Sequence, residues 1–92
     1  MKIENYYVIY NPISGNGKSK LLVKKLKHDL AQQNKTYKII KTEYPGHAKE
    51  ICSNLISYDK VIIIGGDGTF SEAINGFMKN THKPSIGFLP GG

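Results

Sequence analysis

Four consecutive β-branched residues, Val61 to Ile64, run directly into a loop that holds three glycines and the carboxylate Asp67. Such an apolar run predicts a strand that is buried on both faces of a sheet. A helical pattern follows the loop at once, and its apolar face comprises Phe70, Ala73, Ile74, Phe77 and Met78. A strand, a glycine loop and a helix in this order present free N–H groups and a positive helix end, which together bind phosphate well.

The glycine loop, Gly65–Gly68, supports two interpretations. Thr69 and Glu72 have the spacing of a capping box, which predicts Thr69 as the N-cap and Glu72 reaching back to it. Glycine accepts a positive φ, so the loop can be a simple turn, and we expect at least one positive φ within it. Three glycines in four residues exceed what a turn needs. This excess favours a loop that lies close to a ligand.

The rest of the chain alternates strand and helix. The predicted strands are Tyr6–Tyr10, Tyr37–Thr42, Lys60–Ile64 and Ser85–Leu89, and the predicted helices are Lys20–Gln33, Ala48–Ser57 and Thr69–Asn80. Successive βαβ units imply an α/β three-layer sandwich, in which helices cover both faces of a parallel four-stranded sheet. The very apolar third strand should be central and the lysine-bearing second strand peripheral, so we expect the strand order 2-1-3-4.

This order places a switch point between the first and third strands, where open α/β sheets bind ligands. The loop after the first strand, Asn11–Lys18, then converges with the glycine loop. We expect Ser14, Gly15 or the loop amides to contact phosphate, while Pro12 fixes φ and Asn11 caps the turn through its side chain. The loop is not a Walker A motif, because Pro12 stands where that motif needs glycine, and no dinucleotide fingerprint follows the first strand.

Asp67 is the acidic residue of the glycine loops. A carboxylate beside bound phosphates is repulsive unless a cation lies between them, so direct or indirect contact with Mg²⁺ is the role that we predict. The alternative is a purely structural role for Asp67, in an Asx turn or a helix cap.

Four segments resemble motifs of the diacylglycerol kinase catalytic domain family, which includes sphingosine and ceramide kinases. Gly65–Thr69 is similar to the GGDGT signature, which NAD kinases share, and Asn11–Lys18 is similar to the NPxSGxGK loop of the lipid kinases. Thr42–Ala48 resembles their T-x-x-x-G-x-A segment, and Ile86–Gly92 resembles the start of their next motif. The resemblance implies a kinase that uses ATP and Mg²⁺ to phosphorylate a lipid hydroxyl, with diacylglycerol as the expected acceptor.

The resemblance also implies site residues. Asp67 would be catalytic, and the nucleotide would lie against Asn11, Pro12, Ile13, Ser14, Gly15, Thr42, Gly65, Gly66, Asp67, Gly68, Thr69, Phe70, Ser71 and Glu72. No separate set of metal ligands is predicted within the chain. The general base of these kinases lies in a β-rich C-terminal domain, so residues 1–92 are expected to be the N-terminal nucleotide-binding domain, inactive alone. The alternatives are an NAD kinase-like GGDGT kinase, which the Asn11–Lys18 and Thr42–Ala48 segments disfavour, and a non-catalytic nucleotide-sensing module.

The amino-acid composition limits the classes of molecule that the chain is expected to bind. The formal charge is +6, and all 13 basic residues are lysine. This positive charge suits a nucleotide or an anionic membrane face as partner. Most of the lysines are nevertheless expected to lie on solvated helix faces. No recognition motif for nucleic acid is present, so we expect no such partner. The single cysteine, Cys52, excludes an internal disulfide and is expected to be buried. No apolar run is long enough to span a membrane, so we expect a cytoplasmic protein; peripheral membrane association and a homodimer stay open.

Overall fold

A computed structural model describes residues 4–56, 58–82 and 84–91 of the chain. Strands and α-helices alternate in the order β1 (Asn5–Tyr10), α1 (Lys18–Gln32), β2 (Thr36–Lys41), α2 (His47–Asn54), β3 (Lys60–Gly65), α3 (Asp67–Met78) and β4 (Ser85–Pro90). Each predicted element is present, with ends that differ by a few residues. The predicted end of the second helix, Ser57, lies outside the described residues.

The strands form one parallel sheet in the order β2-β1-β3-β4, which confirms the predicted α/β fold. β3 is central because both of its faces are apolar: Val61 and Ile63 on one face and Ile64 on the other are fully buried. β2 lies at an edge, where Lys38 and Lys41 are exposed. Because all four strands are parallel, the segments that follow β1, β2 and β3 meet at the same end of the sheet.

Helices cover both faces of the sheet. On one face, Val23 and Leu30 of α1 pack against Val8 and Ile64. On the other face, α2 and α3 enclose a larger cluster of buried residues, which comprises Tyr7, Ile9, Ala48, Cys52, Leu55, Val61, Ile63, Ala73 and Phe77. Burial of this apolar surface is the main favourable contribution to folding. Within the described ranges, no helix has both the length and the hydropathy that crossing a bilayer requires.

The start of α3 differs from the prediction. The helix begins at Asp67, with Gly66 as its N-cap in an extended conformation (φ −103°, ψ −170°), so the predicted capping box of Thr69 and Glu72 is wrong. The predicted positive φ is also wrong, since Gly65, Gly66 and Gly68 all have negative or extended backbone angles. Both errors have one cause, which is that β3 ends at Gly65 and α3 starts two residues later without a turn.

The apolar face of α3 is rotated from its predicted position. Ala73 and Phe77 are buried as predicted, but Ile74 and Met78 are 48% and 74% exposed. Thr69 and Gly76 take the buried positions instead, facing the sheet and α2. Ile56, which lies within the predicted second helix, follows the end of α2 and is 58% exposed.

α2 and α3 lie very close together at Gly76. A Cβ atom at Gly76 would lie 2.4 Å from the carbonyl oxygen of Lys49 and 2.8 Å from the Cβ of Cys52. Asn80 joins the same helices, because its Nδ2 donates to the carbonyl oxygens of Cys52 and Leu55 at 2.8 and 2.7 Å. Burial of Cys52 is as predicted, and desolvation raises the pKa of its thiol to about 12.

We predict that Gly76→Ala destabilises the fold, although replacing glycine by alanine in a helix usually stabilises it by about 1 kcal/mol. The added methyl group must displace the backbone of α2, and overpacking of this kind costs about 1–3 kcal/mol. The measurement is the urea midpoint of unfolding. Gly68→Ala, in the same helix, is the matched control, because its Cβ would meet no described atom within 4 Å. Equal stability of the two variants would contradict the close approach of α2 and α3.

Candidate functional site

A cleft of about 630 Å³ opens where β1, β2 and β3 end. Each of these strands contributes the segment that follows it. The described lining residues are Asn11, Pro12, Ile13 and Ser14 after β1, Lys41, Thr42, Glu43, Tyr44 and Pro45 at the end of β2, and Gly66, Gly68, Thr69 and Glu72 after β3. The parallel topology therefore brings together residues that lie far apart in the sequence.

Asn11 connects the first segment to the third. Its backbone N–H donates to the carbonyl oxygen of Ile64 at 3.0 Å, and its side-chain Nδ2 lies 3.4 Å from the hydroxyl of Thr69. Its Oδ1 accepts from the N–H of Ile13 at 3.1 Å, which confirms the predicted capping of the turn by Asn11. These contacts fix the position of the first loop relative to α3.

The loop then turns sharply before α1. Gly15, Asn16 and Gly17 all have positive φ, at 62°, 54° and 96°. Glycine and asparagine tolerate this left-handed conformation better than other residues, so the local sequence explains the turn. Ser14 lines the cleft, whereas Gly15 does not.

Ser19, at the start of α1, anchors the same loop from inside the protein. Its side chain is fully buried, and its hydroxyl donates to the carbonyl oxygen of Asn11 at 2.6 Å. This hydroxyl is therefore engaged inside the protein and is not available to a ligand. Sequence reasoning missed this role, because a serine that follows a glycine loop and a lysine is equally compatible with an exposed phosphate contact.

The third segment brings the N-terminus of α3 to the cleft. Within the described part of the chain, no side chain caps this helix, so the N–H groups of its first turn lack acceptors within the helix. A Cβ at Gly66 or Gly68 would meet no described atom within 4 Å, so the absence of side chains leaves room beside the backbone. Uncapped N–H groups, the positive helix end and open space together form a surface suited to an anion.

Gly65 has a different role from its neighbours. A Cβ at Gly65 would lie 2.8 Å from the Cβ and the hydroxyl oxygen of Thr69. Glycine is required here because the side chain of Thr69, which is only 8% exposed, packs directly against the backbone of β3. Gly65 therefore allows α3 to approach the strand and does not line the cleft.

Four predicted nucleotide-binding residues besides Gly65 are also absent from the described lining: Gly15, Asp67, Phe70 and Ser71. Phe70 turns away and packs edge-on against Phe88, with ring centroids 5.0 Å apart. Asp67 and Ser71 are exposed, and Asp67 stands between the two lining glycines of α3. The binding roles of these residues remain predictions.

Sequence reasoning missed most of the second segment, for which only Thr42 was named as a contact. Thr42 is held by its N–H, which donates to the carbonyl oxygen of Tyr10 at 2.8 Å. Lys41, Glu43, Tyr44 and Pro45 line the cleft as well. The rule that placed the other two loops at the carboxyl ends of the strands would have identified them, because Lys41 ends β2 and the other three residues follow it directly.

The few carboxylates near the cleft suit a metal ion that would bind together with a phosphate ligand. The described residues contain no group of three or more His, Cys, Asp or Glu side chains that could hold a metal. Mg²⁺ commonly binds few protein carboxylates and completes its coordination with water and substrate phosphates. Asp67 is the first residue of α3, and Glu72, in the second turn of the helix, lines the cleft.

Comparison with known proteins assigns the chain to a family. The family model of the diacylglycerol kinase catalytic domain matches residues 5–92. The chain belongs to this family. It is 33% identical to a diacylglycerol kinase of Staphylococcus saprophyticus, over 92% of this chain and 28% of that protein. It is 30% identical to the mitochondrial acylglycerol kinase of Homo sapiens, over 97% of this chain and 22% of that protein.

A solved structure supports the same assignment. The crystal structure of a diacylglycerol kinase from Bacillus anthracis matches all of this chain with a TM-score of 0.85 and 31% identity. This chain covers 34% of that one. The chain thus spans about a third or less of the length of the relatives that it matches.

We predict that Ser19→Ala destabilises the protein by about 1 kcal/mol, because it removes the hydrogen bond from a fully buried hydroxyl to the carbonyl oxygen of Asn11, which keeps the N–H of Ser14 as its other donor. Chemical unfolding monitored by circular dichroism measures the effect. Ser71→Ala, at an exposed position of α3, is the matched control and should change stability by less than about 0.5 kcal/mol. A Ser19→Ala protein as stable as the control would show that the first loop does not depend on this bond.

Proposed function

We propose that this chain is the ATP-binding N-terminal domain of a lipid kinase that transfers the γ-phosphate of ATP to a lipid hydroxyl, with diacylglycerol as the acceptor. The observation that carries the proposal is the single cleft at which three strand-following segments meet beside the uncapped N-terminus of α3. Membership of the family supports phosphoryl transfer, and the names of two relatives specify glycerolipid acceptors.

In this proposal the phosphates of ATP lie between the first loop and α3. Backbone N–H groups at the start of α3 donate to them, and Gly66 and Gly68 allow this contact because they have no side chains. Ser14 lines the cleft and offers its hydroxyl, while its N–H donates to the carbonyl oxygen of Asn11 at 3.2 Å. Thr42 and its neighbours then face the nucleoside end of the ligand.

We assign Asp67 to the organisation of Mg²⁺. Bound together with ATP, Mg²⁺ would neutralise phosphate charge and favour transfer of the γ-phosphate. Asp67 would hold its carboxylate toward that ion, since a bare carboxylate beside phosphate is repulsive. Its exposed position at the first turn of α3 is compatible with this role.

Phosphoryl transfer also needs a lipid site and a group that accepts the hydroxyl proton. We assign both to a second, β-rich domain, as the resemblance to lipid kinases implies, because the chain covers only a third of the matched crystal structure. Residues 1–92 alone are then expected to bind nucleotide without phosphorylating lipid. A membrane lipid as acceptor favours a cytoplasmic enzyme that associates peripherally with the bilayer.

The nucleotide part of the proposal is tested by titrating the ¹⁵N-labelled chain with Mg²⁺ and ATP. We predict that amide resonances of residues 11–15 and 66–72 shift before any others. Shifts confined to the lysine-rich surface of residues 20–27, abolished by high salt, would indicate nonspecific charge attraction and would contradict the proposal.

The catalytic part is tested by Asp67→Asn in the protein at its native length. The amide keeps the size and local hydrogen bonding of the side chain but removes its charge, so we predict a fall in kcat of roughly 10²-fold or more. ATP binding should weaken much less, and the melting temperature should change little. Asp29→Asn, an exposed position on α1, is the matched control. Near-normal turnover of Asp67→Asn would exclude a role of Asp67 in metal binding. A large drop in melting temperature would show that the role of Asp67 is structural.

A further inference from the structure

The wall of the cleft formed by residues 41–45 carries an aromatic side chain, Tyr44, that the sequence analysis did not single out. Tyr44 is 49% exposed and lines the cleft, on the segment between β2 and α2. An exposed tyrosine normally samples several rotamers, because little packing restrains it. Tyr44 is instead held at both ends of its side chain.

The hydroxyl of Tyr44 donates to Oε2 of Glu50 at 2.5 Å. The ring stacks on the imidazole of His47, with centroids 4.3 Å apart and planes inclined by 13°. His47 is fixed in turn, because its Nδ1 accepts from the N–H of Glu43 at 2.9 Å. The ring is therefore oriented by polar and stacking contacts at the surface, outside the apolar core.

The backbone beneath the ring is a defined turn. The N–H of His47 donates to the carbonyl oxygen of Tyr44 at 3.1 Å. Gly46 adopts a left-handed conformation (φ 89°), which glycine accepts without strain, and serves as the N-cap of α2. Glu50 lies one turn into α2, so the helix itself positions the group that binds the tyrosine hydroxyl.

The Tyr44 hydroxyl is neutral near pH 7, since the ordinary pKa of tyrosine is about 10. Donation to Glu50 raises the pKa of the Tyr44 hydroxyl above its ordinary value. A neutral ring near the cleft avoids repelling an anionic ligand. One flat face is covered by His47, and the residue is still half exposed, so aromatic surface remains available to a ligand.

We propose that Tyr44 is the stacking wall for the purine base of the bound nucleotide, with Glu50 as the residue that positions its ring. This inference rests on the proposed function. The phosphates lie at the N-terminus of α3, so the base extends toward the wall formed after β2, where Tyr44 is the aromatic residue of the described lining. An aromatic ring can stack on the flat face of any nucleic-acid base, and adenine offers a large face for such stacking.

The test compares ATP with inorganic tripolyphosphate, which carries the phosphates without the base. Binding of each is measured by calorimetry with the protein at its native length. We predict that Tyr44→Ala weakens ATP binding about tenfold and leaves tripolyphosphate binding unchanged. Tyr44→Phe keeps the ring but loses the hydrogen bond that orients it, so its loss of ATP affinity should be smaller than that of Tyr44→Ala and equal to that of Glu50→Ala. In turnover assays, Tyr44→Ala should raise KM for ATP with little change in kcat.

Tyr37→Ala provides the matched control, since Tyr37 is 37% exposed on β2 and is not part of the cleft lining. It should bind both probes as the wild type does. Equal weakening of ATP and tripolyphosphate by Tyr44→Ala would show that Tyr44 only shapes the loop, and unchanged ATP binding would show that it has no role; either result overturns the inference. A wild-type protein that binds neither probe would refute the proposed function itself.

The positioning role of Glu50 has its own readout. Glu50→Ala should weaken ATP binding but not tripolyphosphate binding, and Glu50→Gln, which keeps an acceptor for the hydroxyl, should restore it. In a Tyr44→Phe background, Glu50→Ala should have no further effect, because the hydrogen bond is already absent. An additional loss in that background would show that Glu50 does not act through Tyr44.

Discussion

The contact between α3 and the central strand is the constraint on which the rest of the site depends. β3 passes into α3 across a single residue, and Thr69 packs so closely on Gly65 that no Cβ fits between them. This short connection points the N-terminus of α3 out of the carboxyl end of the sheet. Asn11 then joins the first loop to the same point through Ile64 and Thr69. The same packing contacts that hold the fold together therefore position the floor of the cleft.

The site is assembled mainly from backbone and small side chains, although the chain is strongly basic. Most lysines lie on exposed helix and strand surfaces, and Lys41 is the cation within the described lining. Glu43 and Glu72 offset that charge. An anion in this cleft would thus depend on oriented N–H groups, a helix dipole and an accompanying cation.

The opposite wall of the cleft depends on a separate set of contacts. α2 is held against α3 at Gly76 and Asn80, and α2 in turn carries His47 and Glu50, which orient Tyr44. The position of Tyr44 relative to α3 therefore depends on how α2 packs against α3. A substitution at the interface of α2 and α3 would therefore shift Tyr44 in the cleft, although the substituted residue does not contact a ligand.

The sequence by itself determined the elements and their order, because patterns such as Val61–Ile64 are local and the rules for parallel α/β sheets leave few topologies. It also determined that the loops after β1 and β3 converge, and that Asn11 caps its turn. Only the tertiary structure decided that α3 starts at Asp67, that Thr69 is buried and that the hydroxyl of Ser19 is occupied. It also decided that Tyr44 lines the cleft. These features depend on distances between segments far apart in the chain, and such distances leave no periodic signal in the sequence.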